Sequence, residues 1–233
     1  MDIQHHAFSQ LLLSRHSCRD FLPETVPESV IKKMIALARA APSSANLQPG
    51  KFHALTGEPL GGFVKTLSDI SANNPPEPAS YSYFPQPMPG ELKLRQREAG
   101  YALYGALNIQ RRDITARKQQ FAANYRFFDA PVGIVVTIDK EMGSGCFMDL
   151  GMFIMSFLML AESTGYSSCV IGAFSHYGSA IHRLLSLSAD EKVVCGIALG
   201  RANRQAPVNQ FRTSRIALED FATFQGFSDR ETQ

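Results

Sequence analysis

The order of segments along this chain predicts a layered domain in which helices cover a central sheet. Three observations carry that reading. Residues 132–138 (Val-Gly-Ile-Val-Val-Thr-Ile) are nearly all apolar and β-branched, the mark of a central strand covered on both faces. Residues 193–200 form a second run of the same kind. Around them lie stretches with apolar residues at helical spacing, and one, residues 147–165, is apolar almost all round. At 233 residues a single domain could bury roughly 70–75% of its unfolded surface, and no internal repeat suggests another architecture.

Taken in order, Ile3, Ala7, Phe8, Leu11 and Leu12 predict an amphipathic helix over residues 3–14. Directly after it, Arg15, His16, Ser17 and Arg19 crowd into five positions. Guanidinium forks match pairs of phosphate oxygens, and serine adds a short directional donor. The same cations could simply complement the carbonyl dipoles of a solvated helix end. Phe21-Leu22-Pro23 is extended, and Pro27-Glu28 opens a second helix with proline in its first turn. Its apolar face is Val30, Ile31, Met34, Ile35, Leu37 and Ala38, and Ala41-Pro42 ends it.

Pro42 to Pro49 is a polar loop in which Ser43, Ser44, Asn46 and Gln48 offer donors and acceptors. Such residues also favour ordinary turns. Residues 51–56 alternate like a strand that Gly57 closes, and residues 61–70 read as a short helix. Residues 75–90 hold six prolines with Tyr81, Tyr83 and Phe84, so no regular element fits. They are either a semi-rigid linker or proline-helix ligand, or an aromatic lid over a pocket. Residues 91–124 give one or two helices, and Phe127 to Pro131 break the pattern before the first buried strand. The core helix at 147–165 stops at Gly165. A short strand at 169–171 runs into Gly172-Ala173-Phe174, and residues 177–185 form another helix. The polar tail, residues 201–233, is expected to wrap a partner subunit.

Composition excludes several classes. The net charge of +2 argues against a dedicated nucleic-acid surface. Cys18, Cys146, Cys169 and Cys195 lie far apart, without the spacing of a zinc site or a disulfide framework, which suits a reducing cytosol. The first six residues lack a secretion signal, and the apolar run at 150–161 falls short of a membrane span. A soluble, cytoplasmic protein is expected, with no nucleic-acid or membrane partner. His5-His6 reads as a disordered terminus rather than a metal site, and His182 as a solvated side chain. No dinucleotide glycine signature, Walker loop, nucleophile elbow or zinc-protease helix occurs, and no acid/base carboxylate pair stands out. A bound cofactor is therefore expected to carry any chemistry.

Arg15-His16-Ser17-Cys18-Arg19-Asp20-Phe21, then a helix, then Ala41-Pro42-Ser43-Ser44-Ala45-Asn46-Leu47-Gln48-Pro49, resembles the opening of the FMN-dependent nitroreductase family. Phe128-Asp129-Ala130-Pro131 and Leu199-Gly200-Arg201 fit the same pattern, so the resemblance runs from about residue 8 to 224. Residues 83–89 are similar to the branch that reduces nitrobenzoates. The resemblance implies an α+β, three-layer sandwich: a central mixed sheet flanked by helices, one domain over residues 1–233, with two FMN molecules at a homodimer interface. It implies that Arg15, His16, Ser17 and Arg19 hold the phosphate and ribityl chain, with Arg215 closing on the phosphate and Arg212 assisting. Pro42, Ser43, Ser44, Asn46 and Gln48 would come from the facing subunit. Asn124, Ile171, Gly172, Ala173 and Gly200 would lie at the flavin, and Tyr83 and Phe84 would cover it as a substrate lid. NAD(P)H would deliver hydride to flavin N5, and a nitroaromatic or similar electron-poor small molecule would remove it in ping-pong alternation.

The chain departs from the family in places. It contains no tryptophan, and Gly50 stands where the family usually has one. Thr213 replaces a frequent lysine, and Cys146, Met155-Ser156 and Val170-Ile171 replace residues common in the nitrobenzoate branch. These changes leave the phosphate-binding stretch intact. They keep open an FMN-dependent dehydrogenase or oxidase that uses oxygen in a biosynthetic pathway. A non-enzymatic protein recruited through residues 75–90 is the remote alternative.

Overall fold

Strands β1 (Lys51–Thr56), β2 (Val132–Asp139), β3 (Ser167–Ile171) and β4 (Glu191–Gly200) form one sheet in the order β1-β2-β4-β3. The computed structural model describes residues 6–78 and 80–227. The two apolar runs are the inner strands, and β2 is buried without a break from Val132 to Ile138. Among the described residues the sheet lacks the mixed pairing that the resemblance implies, while the α+β layering holds. Each neighbouring pair of strands is antiparallel, and parallel pairing enters as an isolated bridge between Ser17 and Ser168.

Alternation along β2 divides the core into two layers, because successive side chains point to opposite faces. Val135 faces Phe63 and Leu67 of α3 (Gly57–Asn73), Phe127 and Phe174, and Ile181 of α7 (Gly178–Leu184). The Phe127 and Phe174 rings lie 4.7 Å apart. Ile134 and Val136 face Ile31 and Met34 of α2 (Glu28–Ala38) and Leu150, Phe157 and Ala161 of α6 (Ser144–Ser163). The result is three layers, helix on sheet on helix.

Element boundaries differ from expectation in informative ways. The first helix, α1, spans Ala7–Ser14, with His6 Nδ1 accepting from Phe8 N; residues 3–5 lie outside the described residues, as does His5. Helix α2 starts after Pro27, which caps it, and stops at Ala38, before the Ala41-Pro42 pair. Helix α3 begins at Gly57 rather than Gly61, because Gly57 takes φ +58°, closing β1 and opening the helix at once. Residues 91–124 give two helices, α4 (Gly90–Ala106) and α5 (Ile114–Ala122). Helix α6 is long and apolar enough to cross a membrane by composition, yet one side of it is core. The reading of it as a core helix holds for one side: Met148 is 66% exposed and Met152 and Met155 37% each, because among the described residues no layer covers the other side.

A polar cluster crosses three strands beside the kink in β2 at Val136–Thr137. The Glu191 carboxylate accepts from Thr137 Oγ1 at 2.6 Å, lies 2.9 Å from His53 Nε2 and pairs with Lys51 Nζ at 3.0 Å. Burial opposes its charge, but these partners outweigh burial and hold its acidity at about 2.

Residues 75–90 are tied to the body rather than free. Glu77 N donates to His176 O at 2.7 Å, its carboxylate accepts from Ser179 N at 2.8 Å, and Tyr81 OH donates to Val194 O at 2.5 Å. In the tail, α8 (Pro207–Gln210) docks on its own chain, while residues 212–221 line a groove beside α4. Leu218 and Phe221 of α9 (Leu218–Phe221), with Phe224 and Phe227, are exposed. The tail therefore does not simply leave its own molecule; residues 228–233 lie outside the described residues.

Candidate active site

Helix α1 stops at Ser14, and the chain then runs extended beside β3, with Cys18 N donating to Ser168 O at 3.0 Å. This lays Arg15 to Arg19 along the start of the edge strand. Asn209, only 5% exposed, locks the course: its Oδ1 accepts from Arg19 N at 2.8 Å and its Nδ2 donates to Asp20 O at 2.8 Å. The Arg19 guanidinium donates to Ser17 O and lies 5.9 Å from the Phe128 ring centre. Arg212 donates to Asn209 O at 2.9 Å.

Electrostatics joins these groups into one neighbourhood. Burial lowers the His16 pKa, the Ser14 carbonyl opposes that, and the charges of Arg212 and Arg15 lower it further. Burial raises the pKa of Cys169, against the charges of Arg19 and Arg15 and the hydroxyl of Ser17. His16 Nδ1 lies 3.1 Å from Ser14 O, whereas its Nε2 is buried without a hydrogen-bond partner. Among the described residues no carboxylate forms an ion pair with Arg15, Arg19, Arg212 or Arg215. Clustered guanidiniums without acidic partners make an anion site.

Just past the end of β3, four residues and about 14 Å from Ser168 at strand rise, stands Gly172, between Ile171 and Ala173. A Cβ on Gly172 would lie 2.8 Å from Tyr83 Cε2, so the Tyr83 ring rests directly on this glycine. The Tyr83 ring lies tilted against Phe84 at 5.0 Å and against Tyr81 at 6.1 Å, and Tyr81 sits 5.2 Å from Phe147 of α6. The edge strand thus runs from a cationic cluster to an aromatic-covered glycine, a track suited to a flat ligand with an anionic tail.

The polar loop lies elsewhere on this chain. Ser44 N donates at 3.0 Å to Asp149, a carboxylate 3% exposed near the start of α6. Ser14 Oγ donates at 3.0 Å to Glu162, thirteen residues further along the same helix and so about 20 Å away. Within the loop Ser43 Oγ accepts from Gln48 N, and Ala45, Asn46 and Gln48 all take left-handed φ near +50°. Three strained residues in four mark a loop held for a purpose beyond connection. With Pro42 and Ser43, Gln48 lines a cavity of about 320 Å³ that also meets Asp149 and Phe153. One chain therefore assembles Arg15, His16, Ser17, Arg19 and Arg212, and keeps Ser43, Ser44, Asn46 and Gln48 apart from them.

Three expected residues have local explanations. Asn124 Nδ2 donates to Phe121 O at 2.7 Å. Gly200 is a packing glycine, since a Cβ there would meet Pro131 Cδ at 2.6 Å. Arg215 folds back on Thr213 O, Thr213 Oγ1 and Ser214 O, so the hydroxyl of Thr213 holds the guanidinium. Gly50 is likewise required by packing: it has φ +99°, and a Cβ would fall 2.5 Å from Leu150 Cδ1. Asp149 and Asn209 are site residues that sequence reading missed; the one available signal was a lone carboxylate inside an apolar helix.

Residues 12–201 match the Nitroreductase family. The chain belongs to that family. The chain is 34% identical over 220 residues to a 4-nitrobenzoate reductase of Pseudomonas putida, covering 94% of this chain and 96% of that one. It is 34% identical over 216 residues to a chloronitrobenzene nitroreductase of Comamonas testosteroni, covering 92% and 95%. Among solved structures, its fold matches the FMN and NADPH-dependent nitroreductase NfnB of Sphigopyxis sp. strain HMH with a TM-score of 0.89 and 30% identity, over 95% of this chain and 100% of that one. The NADPH complex of the FMN-dependent NfnB of Mycobacterium smegmatis matches with a TM-score of 0.88 and 25% identity, over 93% and 96%.

Proposed function

We propose that this chain is an FMN-dependent NAD(P)H oxidoreductase that reduces nitroaromatic or similarly electron-poor small molecules, acting as a soluble homodimer. The observation that carries this reading is the cluster of guanidiniums without acidic partners, with the unpartnered His16 Nε2 among them, at the foot of the strand edge that leads to Gly172. Those residues fit FMN. Arg15, Arg19 and Arg212 offer forked donors to a phosphate dianion, and Gly172 and Ala173 offer a flat backbone floor without side-chain bulk. Because Nδ1 of His16 faces a carbonyl, it carries the proton, so Nε2 of the neutral ring is an acceptor. That suits a ribityl hydroxyl, and suits phosphate only once the ring is protonated.

Bound there, FMN would take hydride from NAD(P)H and pass it to the substrate. The protein's own contribution is binding and exclusion. Tyr83 covers the Gly172 floor and keeps water from it, with Phe84 against its ring and Tyr81 anchored to Val194 O. The 20 Å separation between the cationic cluster and the loop at Ser43–Gln48 supports a site completed by the loop of a second subunit. So do the exposed Met148, Met152 and Met155 on α6 and the exposed Phe221, Phe224 and Phe227.

The deciding experiment is the visible spectrum of the purified protein before and after NADPH or NADH is added under nitrogen. A yellow protein that bleaches and regains colour on adding 4-nitrobenzoate is expected. A colourless protein that cannot be reconstituted with FMN refutes the reading, and a flavin that neither nucleotide bleaches favours the oxygen-using dehydrogenase instead.

A further inference from the structure

Two consecutive residues of α6 grip the polar loop at both of its ends. At the start of the loop, Asp149 accepts from Ser44 N at 3.0 Å. At its close, Leu150 packs against Gly50, where a Cβ would fall 2.5 Å from Leu150 Cδ1. One turn further along α6, Phe153 lies tilted against Phe52 of β1, with ring centres 4.7 Å apart. The loop that carries Asn46 and Gln48 is therefore moulded on one stretch of a rigid helix. Its two carboxamide residues are also joined to each other, Gln48 Nε2 donating to Asn46 O at 3.3 Å.

One member of this grip is costly. Asp149 is a carboxylate only 3% exposed, in a helix whose other buried residues are all apolar. Among the described residues no lysine, arginine or histidine forms an ion pair with it. An ionised side chain is seldom buried without a paired charge, and an apolar residue of similar volume would fill the place at less cost. What the carboxylate adds is a charged acceptor for one loop amide. Ser44 opens the short turn Ser44–Asn46, and the residue before it, Ser43, lends that turn no capping side chain. Its Oγ instead accepts from Gln48 N at 2.9 Å. Asp149 thus does from outside what a capping side chain does from within. The bond holds a backbone under strain, since Ala45, Asn46 and Gln48 all take φ near +50°.

We infer that Asp149 is a positioning residue for the flavin: through Ser44 N it sets the backbone that aims the Asn46 and Gln48 carboxamides. The inference rests on the proposed FMN-dependent reading, in which this loop completes the site of the facing subunit. It deepens that reading by giving a role to a residue that does not itself touch the flavin. A positioning role and a scaffold role differ in one respect. Loss of a scaffold residue weakens the site whatever the loop carries, whereas loss of a positioning residue is felt only while the two carboxamides are present.

Asp149→Leu removes the acceptor and keeps the bulk, while Asp149→Asn keeps an acceptor and removes the charge. In the flavin-free protein, amide hydrogen exchange over residues 43–48 should quicken about tenfold or more in Asp149→Leu and less than about threefold in Asp149→Asn. FMN affinity, read by fluorescence quenching, should fall about tenfold in Asp149→Leu and less than about threefold in Asp149→Asn. A double-mutant cycle decides the role. Added to Asn46→Gly with Gln48→Gly, Asp149→Leu should weaken FMN binding less than about twofold beyond the glycine pair alone. Should Asp149→Leu not fold, Asp149→Ala completes the same cycle. A tenfold loss in both backgrounds makes Asp149 scaffold only and overturns the inference. So does an asparagine variant as impaired as the leucine one, because the bond to Ser44 would then not be what matters. Unchanged exchange in Asp149→Leu overturns it as well. If the unmodified protein binds no FMN, the oxidoreductase reading falls and this inference with it, even where exchange quickens. Additive losses in a protein that does bind FMN remove this inference alone.

Discussion

Replacing Arg15 by alanine separates an FMN phosphate site from a merely cationic helix end. Arg15 caps α1 through its backbone, Arg15 N donating to Leu11 O at 3.0 Å, and alanine keeps that bond. Among the described residues its guanidinium has no ion pair to lose, so the fold should tolerate the change with little cost. One hydrogen bond to a charged group contributes roughly 1.5–3 kcal/mol. With Arg19 and Arg212 still present, the loss should be about 2 kcal/mol, or about thirtyfold in FMN affinity. Riboflavin shares the ring and ribityl chain but has no phosphate, so its affinity should change less than about threefold. Quenching of flavin fluorescence by the flavin-free protein measures both. Arg15→Lys, which keeps the charge and loses the fork, should fall between. Salt should weaken FMN binding to the unmodified protein more steeply than to Arg15→Ala. Equal losses for FMN and riboflavin would refute the phosphate role and return Arg15 to helix-end solvation.

Three further predictions follow from the same geometry. Glu191 is held at about 2 against an ordinary 4.5, a difference of roughly 3–4 kcal/mol at about 1.4 kcal/mol per pH unit. The unfolded chain binds the proton first, so this stability is complete above about pH 4.5 and is lost as the pH falls toward 2. Glu191→Gln should lower Tm at pH 7 by about 5–10 °C and flatten the acid limb of stability; identical acid-unfolding midpoints would show the cluster to be neutral. Gly50→Ala must place a Cβ against Leu150 at φ +99°, which should cost about 2–4 kcal/mol in chemical denaturation, and an unchanged midpoint would contradict the packing described. Truncation after Ala217 removes the exposed Leu218, Phe221, Phe224 and Phe227 but keeps Asn209, Arg212 and Arg215. Sedimentation should show weakened dimers with the cationic cluster intact, whereas a dimer of undiminished strength would locate the interface elsewhere.

The sheet was legible because burial on both faces leaves no place for polar residues, and β2 and β4 are continuous apolar runs for that reason. Helix α6 was legible as a helix but not as half-exposed. An all-round apolar sequence encodes cover on every side, and one chain supplies cover on only one. The stretch Arg15 to Arg19 stood out because so many donors fall so close together. Asp149 and Asn209 did not, because their partners Ser44 and Arg19 lie 105 and 190 residues away and no local spacing betrays such a bond. Gly50 read as the loss of a family tryptophan; its reason, a positive φ beneath Leu150, exists only in the assembled fold. Composition ruled regular structure out of residues 75–90 without revealing that Tyr81 pins them to β4.

The rigidity of α6 makes the shared site testable by mixing subunits. A helix does not stretch, so Asp149 and Glu162 keep the Ser43–Gln48 loop and the Arg15 cluster about 20 Å apart in every protomer. If a two-fold dimer brings the loop of one subunit to the cluster of the other, each site draws on both chains. Arg15→Ala damages the cluster. Asn46→Gly with Gln48→Gly damages the loop by removing two carboxamides, and glycine keeps the left-handed backbone at both positions without strain. In a mixed dimer one site then collects both defects while the other has none. Refolding the two variants together at equal amounts should restore full flavin affinity to about one site in four, seen as a tight phase absent from either variant alone. A site built within one protomer would carry a defect in every arrangement. No tight phase on mixing, with mixed dimers confirmed by mass spectrometry, would therefore refute the shared site even if both variants bind FMN weakly.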